Sequence, residues 1–140
     1  MSGLDQSQYA SMMPGAPAQK VSEAEKKEIN DTLVACYNNL AACQIKLSNW
    51  PRVVASANQV LKLTPTNAKA LYRRGMAYRE LNELAKAESD LTKADELAPG
   101  DNGVKLELAK LKKRYAEYDK KQKKEWAGLF DRMAKNEEKE

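Results

Sequence analysis

Residues 68–101 decide the fold, and they read AKALYRRGMAYRELNELAKAESDLTKADELAPGD. Apolar and small residues recur in this stretch at steps of three and four, as they do on the buried face of a helix. Pro99 and Gly100 end the pattern, because neither residue favours the interior of a helix. The stretch therefore predicts two helices, from Ala68 to about Leu81 and from about Leu84 to Leu97.

A second copy of this pattern lies 34 residues upstream. A shift of that size places Ala41 on Gly75 and Pro65 on Pro99. It also places Tyr37 on Leu71, Leu63 on Leu97 and Asn67 on Asp101. A constant period of this length indicates a repeat architecture, and small residues at fixed places let paired helices approach closely. The upstream copy predicts a helix from about Ser22 to Leu47, opened by a capping box of Ser22 and Glu25, and a second from Pro51 to about Leu63.

Downstream of the second copy the pattern changes. A third copy would place a turn near Arg114–Tyr118, but one helical stripe continues through that region, made of Leu108, Leu111, Tyr115 and Tyr118. The sequence therefore predicts one long helix, from about Asn102 beyond Phe130, which packs on the last repeat and then runs into solvent. No segment shows the strict apolar–polar alternation of a half-buried strand, so the predicted fold class is all-α.

The predicted organisation has three parts. Residues 1–20 are rich in Ser, Gly, Pro and Gln without a period, so we expect a flexible segment. Residues 21–101 hold the two repeats, and residues 102–140 form an extended basic helix. No apolar run approaches the roughly 18 residues of a membrane span, and the N-terminus lacks the basic and apolar regions of a signal peptide. We therefore expect a cytoplasmic location, with the nucleus as the alternative.

The composition argues against catalysis. Histidine is absent from all 140 residues, so no histidine serves as a general base, as the partner of a nucleophile or as a metal ligand. Two cysteines are too few for a zinc site built from cysteine alone. Cys36 and Cys43 are about 10 Å apart along a helix, too far for a disulfide, and we expect both to be buried, reduced thiols. We therefore expect that the protein is not an enzyme and that it holds no metal and no cofactor.

Three polar residues are predicted to converge on the concave surface that the first helix of each pair lines. Lys69 and Arg73 share a helix face because they are four apart, and Asn39 occupies the place equivalent to Arg73 in the preceding repeat. An ammonium, a guanidinium fork and an amide are donors that suit carboxylates. No Asp or Glu occurs between Leu33 and Met76 to neutralise them. The alternative is that Lys69 and Arg73 are solvated surface charges and Asn39 is a satisfied core amide.

The repeat resembles the tetratricopeptide repeat, a 34-residue helix-turn-helix unit. The copy at residues 68–101 matches its signature best, at Leu71, Gly75, Tyr78, Ala87, Leu91, Ala94 and Pro99. Over about Ser22–Met133 the chain also resembles the C-terminal repeat region of the large immunophilins, the FKBP-type and cyclophilin-type prolyl isomerases. The strings that carry this likeness are Asn39-Leu-Ala-Ala-Cys43, Lys46-Leu-Ser-Asn-Trp50, Asn67-Ala-Lys-Ala-Leu-Tyr-Arg-Arg-Gly75 and the later Lys-Lys-Glu-Trp-Ala-Gly-Leu-Phe130.

The resemblance implies a co-chaperone module. In the large immunophilins the groove is a carboxylate clamp for the acidic C-terminal peptide, Met-Glu-Glu-Val-Asp, of heat-shock protein 90 or 70. Asn39, Lys69 and Arg73 match clamp positions, and Ala42 and Lys46 would flank the peptide. The family's first repeat, which supplies a further Lys and Asn, and its isomerase domain have no counterpart in this sequence. We therefore expect weakened peptide binding and no isomerase activity.

Self-association is a second expectation. The face of the Ser22–Leu47 helix that would meet the first repeat has nothing to pack on. Exposed apolar faces of this kind favour dimers and the exchange of an element between copies. The sequence therefore predicts a homodimer that forms through this helix, in which case the chain acts as a self-associating fragment with a lost or weakened clamp.

The C-terminal helix offers a third partner. Between Lys105 and Lys124, nine Lys and Arg side chains oppose three Asp and Glu side chains. A basic amphipathic helix with an aromatic anchor is typical of calmodulin targets and of helices on lipid surfaces, and the resemblance to immunophilins also implies calmodulin. The predicted binding residues are Lys112, Lys113, Arg114, Lys120, Lys121, Lys123, Lys124 and Trp126. We do not expect nucleic acid binding, because the charge is confined to one stripe, and the remaining alternative is a solvated capping helix.

Overall fold

The computed structural model of the chain describes residues 20–139, so the prediction of a flexible segment falls almost entirely outside the described residues. Five α-helices follow one another: α1 Glu23–Lys46, α2 Trp50–Leu63, α3 Ala68–Glu80, α4 Leu84–Leu97 and α5 Asn102–Glu138. No strand occurs in the described range, which confirms the all-α prediction. None of these helices combines the length and the apolar character that crossing a bilayer requires.

The chain divides into two compact units between Asp31 and Thr32, within α1, and each is described by itself. In the first unit α1 begins directly after Ser22, whose hydroxyl accepts a hydrogen bond from the Glu25 amide at 3.2 Å. This bond is half of the predicted capping box, and it satisfies one of the N–H groups that a helix start leaves without a partner.

The 34-residue period governs the turns as well as the helices. Asn67 and Asp101 precede α3 and α5, and each carboxamide or carboxylate accepts from the backbone N–H three residues later, at 2.9 and 3.0 Å. Such caps stabilise a helix by about 1 kcal/mol. Within the pairs, Ser48 and Asn82 hold the same place in the two turns, with left-handed φ values of 53° and 62°. The second repeat and the closing helix therefore start in the same way, and the two repeats share the same turn between their helices.

Small and branched side chains fill the core between successive helices. Ala57 and Val60 of α2 meet Ala70 of α3, and Val34 and Tyr37 of α1 pack against them. The next layers bring α3, α4 and α5 together. Their buried members are Leu71, Leu84, Ala87, Leu91, Ala94, Val104 and Leu111.

Gly75 marks a close approach between α3 and α4. A Cβ placed on it would lie 2.7 Å from Cγ and 2.8 Å from Cδ2 of Leu91, whereas non-bonded carbon atoms prefer about 3.5–4.0 Å. One period earlier, Ala41 and Ala57 stand at the same two places, and both are buried. The first repeat thus has alanine at both places, whereas the second packs glycine against leucine.

The last helix confirms the prediction that no third helix pair forms. α5 continues unbroken for 37 residues. Its N-terminal turns bury Val104 and Leu111, with Tyr115 half-buried against the core. A buried ion pair, 2.8 Å between Arg79 Nε and Glu107 Oε2, ties it to α3. The helix continues through the place where a third repeat would turn, and its apolar stripe has no interruption there.

The burial predicted for the two cysteines is wrong. Both are exposed free thiols. α1 buries the face that carries Ala41 and Gln44, and there Ser56 of α2 donates a hydrogen bond to Gln44 Oε1 at 2.8 Å. Cys36 and Cys43 lie on the other side of the same helix. The usual preference of free cysteine for the interior therefore yields to the direction in which α1 packs.

Candidate peptide-binding groove

Arg73 of α3 reaches across to α1. Its Nη1 atom donates to the backbone oxygen of Asn38 at 3.0 Å and to Asn38 Oδ1 at 3.3 Å. The side chain is half-buried, and loss of hydration lowers the pKa of its guanidinium from the ordinary value. A guanidinium nevertheless stays protonated at any pH at which the protein is folded. The structure therefore fixes a positive charge where α3 meets α1.

Lys69 and Asn39, the other two predicted clamp residues, are both exposed. Lys69 lies one turn before Arg73, close to the start of α3, where the Asn67 cap fixes the first turn. Asn39 directly follows the residue that Arg73 contacts. Two parts of the alternative reading therefore do not hold: Asn39 is not a core amide, and Arg73 is not fully solvated.

The two cations have no acidic partner among residues 20–139. No described carboxylate forms an ion pair with Lys69 or Arg73. The neighbouring arginine is different, because Arg74 binds both Asp90 oxygens, at 2.6 and 2.7 Å, and also Asn58. The hydrogen bond to Asp90 raises the pKa of the Arg74 guanidinium. Arg74 is thus a structural cation, whereas Arg73 keeps an uncompensated charge.

Ala42 and Lys46 continue along α1 from this point. Ala42 is half-buried, and Lys46, in the last turn, is exposed. They lie one and two turns after Asn38, so Lys46 adds a further cation at the end of the helix. In the described range no three Cys, Asp or Glu side chains come together as metal ligands.

Asn38 is the site residue that the sequence reasoning missed. A shift of 34 residues pairs Arg73 with Asn39, but the hydrogen bonds run to the residue before it. The repeat gives equivalent places in the two copies, whereas the contact depends on how the two helices pack. Only the doubled Asn38-Asn39 in the sequence hints that more than one amide takes part.

The predicted C-terminal residues are displayed on one exposed helix. Lys112, Lys113, Lys120, Lys121, Lys123, Lys124 and Trp126 are exposed, and Arg114 is half-buried. The ring centroids of Trp126 and Phe130 are 6.1 Å apart, and their side chains are 55% and 62% exposed. A solvated stretch of helix thus carries an aromatic pair among cations.

The expected uncovered face of α1 is also present. In the second unit Leu33, Leu40 and Leu47 are exposed, and 78% of Leu47 is open to solvent. Cys36 and Cys43 lie between them at alternating steps of three and four. Such a stripe has the spacing of a helix that packs on another helix, although no described residue covers it.

Paired helices with a 34-residue period, a shared cap and turn, and a closing helix define a tetratricopeptide-repeat domain. Residues 68–101 match the family model of the tetratricopeptide repeat. The chain is 32% identical over 118 residues, 84% of its length, to the peptidyl-prolyl cis-trans isomerase FKBP4 of Mus musculus. It spans only 26% of that relative.

Two solved structures share this fold. The C-terminal tetratricopeptide domain of a Plasmodium falciparum FK506-binding protein superimposes with a TM-score of 0.68 at 24% identity, covering 81% of this chain and 75% of that one. The first such domain of Spaghetti (RPAP3), bound to the HSP90 peptide SRMEEVD, gives 0.54 at 25% identity, covering 65% and 83%. The predicted immunophilin resemblance is thus confirmed at the level of the repeat domain.

Proposed function

We propose that this chain is a protein-interaction module that binds the acidic C-terminal peptide of a chaperone, heat-shock protein 90 or 70, between α1 and α3. One observation carries the proposal: Arg73 is held by Asn38, the residue before Asn39, with no described carboxylate to neutralise it. The Spaghetti domain with its bound HSP90 peptide supports the choice of partner.

Each side chain has a defined role in this proposal. The planar fork of Arg73 binds a carboxylate through two parallel hydrogen bonds, and the ammonium of Lys69 follows the charge with a longer reach. Asn39 adds an amide donor from α1. Ala42 leaves space for an apolar side chain of the peptide, and Lys46 attracts its upstream glutamates.

The decisive experiment is a titration with labelled SRMEEVD peptide. A hydrogen bond to a charged group contributes about 1.5–3 kcal/mol, so Lys69→Ala or Arg73→Ala should each weaken binding about tenfold or more. The peptide with an amidated C-terminus should bind weakly to the unmodified chain. The matched control is Arg52→Ala/Lys62→Ala, which removes the same charge from exposed sites on α2 and should change affinity little.

Two results would refute the clamp. One is the absence of binding at millimolar peptide, and the other is equal affinity for the unmodified chain and Lys69→Ala/Arg73→Ala. A parallel titration with the HSP70 peptide SGPTIEEVD, which another tetratricopeptide domain binds, decides between the two chaperones. The cytoplasmic location of the protein stays a prediction.

Calmodulin is the second candidate partner, and the exposed Trp126 and Phe130 on a cationic helix favour it. Calmodulin takes up such helices through large apolar side chains in its grooves. Addition of calcium-loaded calmodulin should shift Trp126 fluorescence, and Phe130→Ala should weaken the complex. A spectrum that is identical with calcium and with a chelator would count against it.

A homodimer through the Ser22–Leu47 helix remains a separate prediction, supported by the exposed Leu33, Leu40 and Leu47. Light scattering at increasing protein concentration measures it directly. Leu40→Glu should keep the chain monomeric, because a charge on the stripe opposes apolar contact. A monomer mass at millimolar concentration would exclude this assembly.

A further inference from the structure

The Arg73 guanidinium is bound at one nitrogen only. Nη1 donates to two oxygens of Asn38, the backbone oxygen and Oδ1. Nε and Nη2 have no hydrogen-bond partner in residues 20–139. Since these two nitrogens form one edge of the planar fork, the edge that binds a carboxylate bidentately is left unused.

The adjacent arginine shows the opposite arrangement. In Arg74 the edge formed by Nε and Nη2 is occupied by Asp90, and Nη1 is occupied by Asn58. Both arginines thus have an asparagine acceptor at Nη1, and only Arg74 has a carboxylate on the other edge. The difference assigns Arg74 to the fold and leaves one edge of Arg73 for a ligand.

We propose that Asn38 is a positioning residue for the acidic-peptide site, an inference that rests on the proposed function. It holds Nη1 of Arg73 with neutral acceptors, so the orientation of the fork is fixed while its charge is kept. A side chain ordered before binding loses less conformational freedom when the ligand arrives. A carboxylate at position 38 would hold the arginine equally well but would neutralise it.

Two substitutions separate positioning from simple structural support. Asn38→Leu keeps a similar volume and the backbone oxygen but removes the side-chain acceptor, whereas Asn38→Asp keeps a side-chain acceptor and adds a charge. We expect SRMEEVD affinity to fall about threefold to tenfold in Asn38→Leu, as for the loss of one hydrogen bond. In Asn38→Asp it should fall further, by more than tenfold. Thermal stability should follow the opposite order, with Asn38→Asp melting above Asn38→Leu.

The Arg73→Ala background tests whether the effect runs through the arginine. There the additional loss caused by Asn38→Leu should disappear, and the loss caused by Asn38→Asp should shrink to the general repulsion between like charges. The matched controls are Asn58→Leu and Asn58→Asp, which make the same changes beside Arg74. They should alter stability and leave peptide affinity within twofold.

Several results would overturn the inference. If Asn38→Leu binds like the unmodified chain, the side-chain acceptor is not needed and the backbone oxygen is enough. Asn38→Asp that binds better than Asn38→Leu shows that only structural support matters, and losses that persist unchanged in Arg73→Ala show that Asn38 acts elsewhere. All three leave the clamp intact if Arg73→Ala still weakens binding. A chain that binds no peptide at all removes the clamp and this inference together.

Discussion

Replacing Gly75 by Ala tests whether the close approach of α3 and α4 sets the packing of the second repeat. The substitution adds one methyl group, whose carbon would lie 2.7 Å from Cγ of the fully buried Leu91. Unstrained contact requires about 3.5–4.0 Å, so α4 or the leucine rotamer must move by nearly 1 Å. Overpacking of this size destabilises a core by about 1–3 kcal/mol.

A second effect opposes the first. Alanine favours the interior of a helix over glycine by about 1 kcal/mol, and Gly75 lies in the middle of α3. The two terms together give a net destabilisation of about 0–2 kcal/mol for Gly75→Ala. Leu91→Ala alone removes three buried carbons and should cost about 2–5 kcal/mol, mainly through the cavity that it leaves.

The double variant Gly75→Ala/Leu91→Ala restores the combination found at Ala41 and Ala57 in the first repeat. The added methyl group then enters space that the leucine has vacated, so the double change should cost at least 1 kcal/mol less than the two single changes combined. Urea unfolding followed by circular dichroism at 222 nm measures all four chains. Additivity within about 0.5 kcal/mol, as for independent sites, would refute the reasoning.

Three further perturbations follow from the structure. Ser48 has a left-handed φ of 53°, and the second repeat has an asparagine, Asn82, at the same place. Ser48→Asn should therefore raise the melting temperature by a few degrees, because asparagine tolerates this conformation better. A fall in melting temperature would show that the serine hydroxyl matters more than the backbone. Glu107→Ala removes the 2.8 Å partner of the buried Arg79 and leaves it the more exposed Glu80 at 3.1 Å, so it should cost about 1–3 kcal/mol in urea unfolding, whereas Arg79→Met/Glu107→Leu should lie closer to the unmodified chain. Burial, followed by Glu107 and Asp101, raises the pKa of Tyr72 above its ordinary value of 10.0. Folding therefore favours the neutral tyrosine. The resulting stabilisation of the fold is complete below about pH 10 and is lost as the pH rises through the raised pKa. Between about pH 9 and 11.5 the melting temperature of Tyr72→Phe should fall less than that of the unmodified chain. The same fall in both chains would exclude the effect.

The fold followed from the sequence because its signals are local and repeated. The break between α3 and α4, the Pro65 and Pro99 turns and the 34-residue period each constrain helix ends directly, and the observed ends agree within one or two residues. The exposure of the two cysteines could not be predicted in this way, since helical periodicity shows which residues share a face but not which face is covered. Cys36 shares a stripe with Leu33 and Leu40, and this stripe is exposed.

The site was only partly accessible to the same reasoning. Lys69 and Arg73 were identified because their spacing of four fixes a common helix face whatever the tertiary packing. Asn38 was missed because the Arg73 contact crosses between α3 and α1, where the axial offset of the two helices decides the partner. A repeat period predicts equivalence, and an offset of one residue on the facing helix is enough to change which side chain makes the bond.

The three residues that share one place in the array show why an acidic ligand would be confined to α1 and α3. Asn39, Arg73 and Glu107 follow one another at intervals of 34 residues. The first is an exposed amide and the second a half-buried cation, but the third is a carboxylate that would repel an acidic peptide if it were displayed. It is only 2% exposed, and Arg79 and Lys110 bind its two oxygens at 2.8 and 3.3 Å. The same register that offers donors in the first two helices is therefore used in α5 to attach the closing helix, so that helix ends the groove without adding a repulsive charge to it.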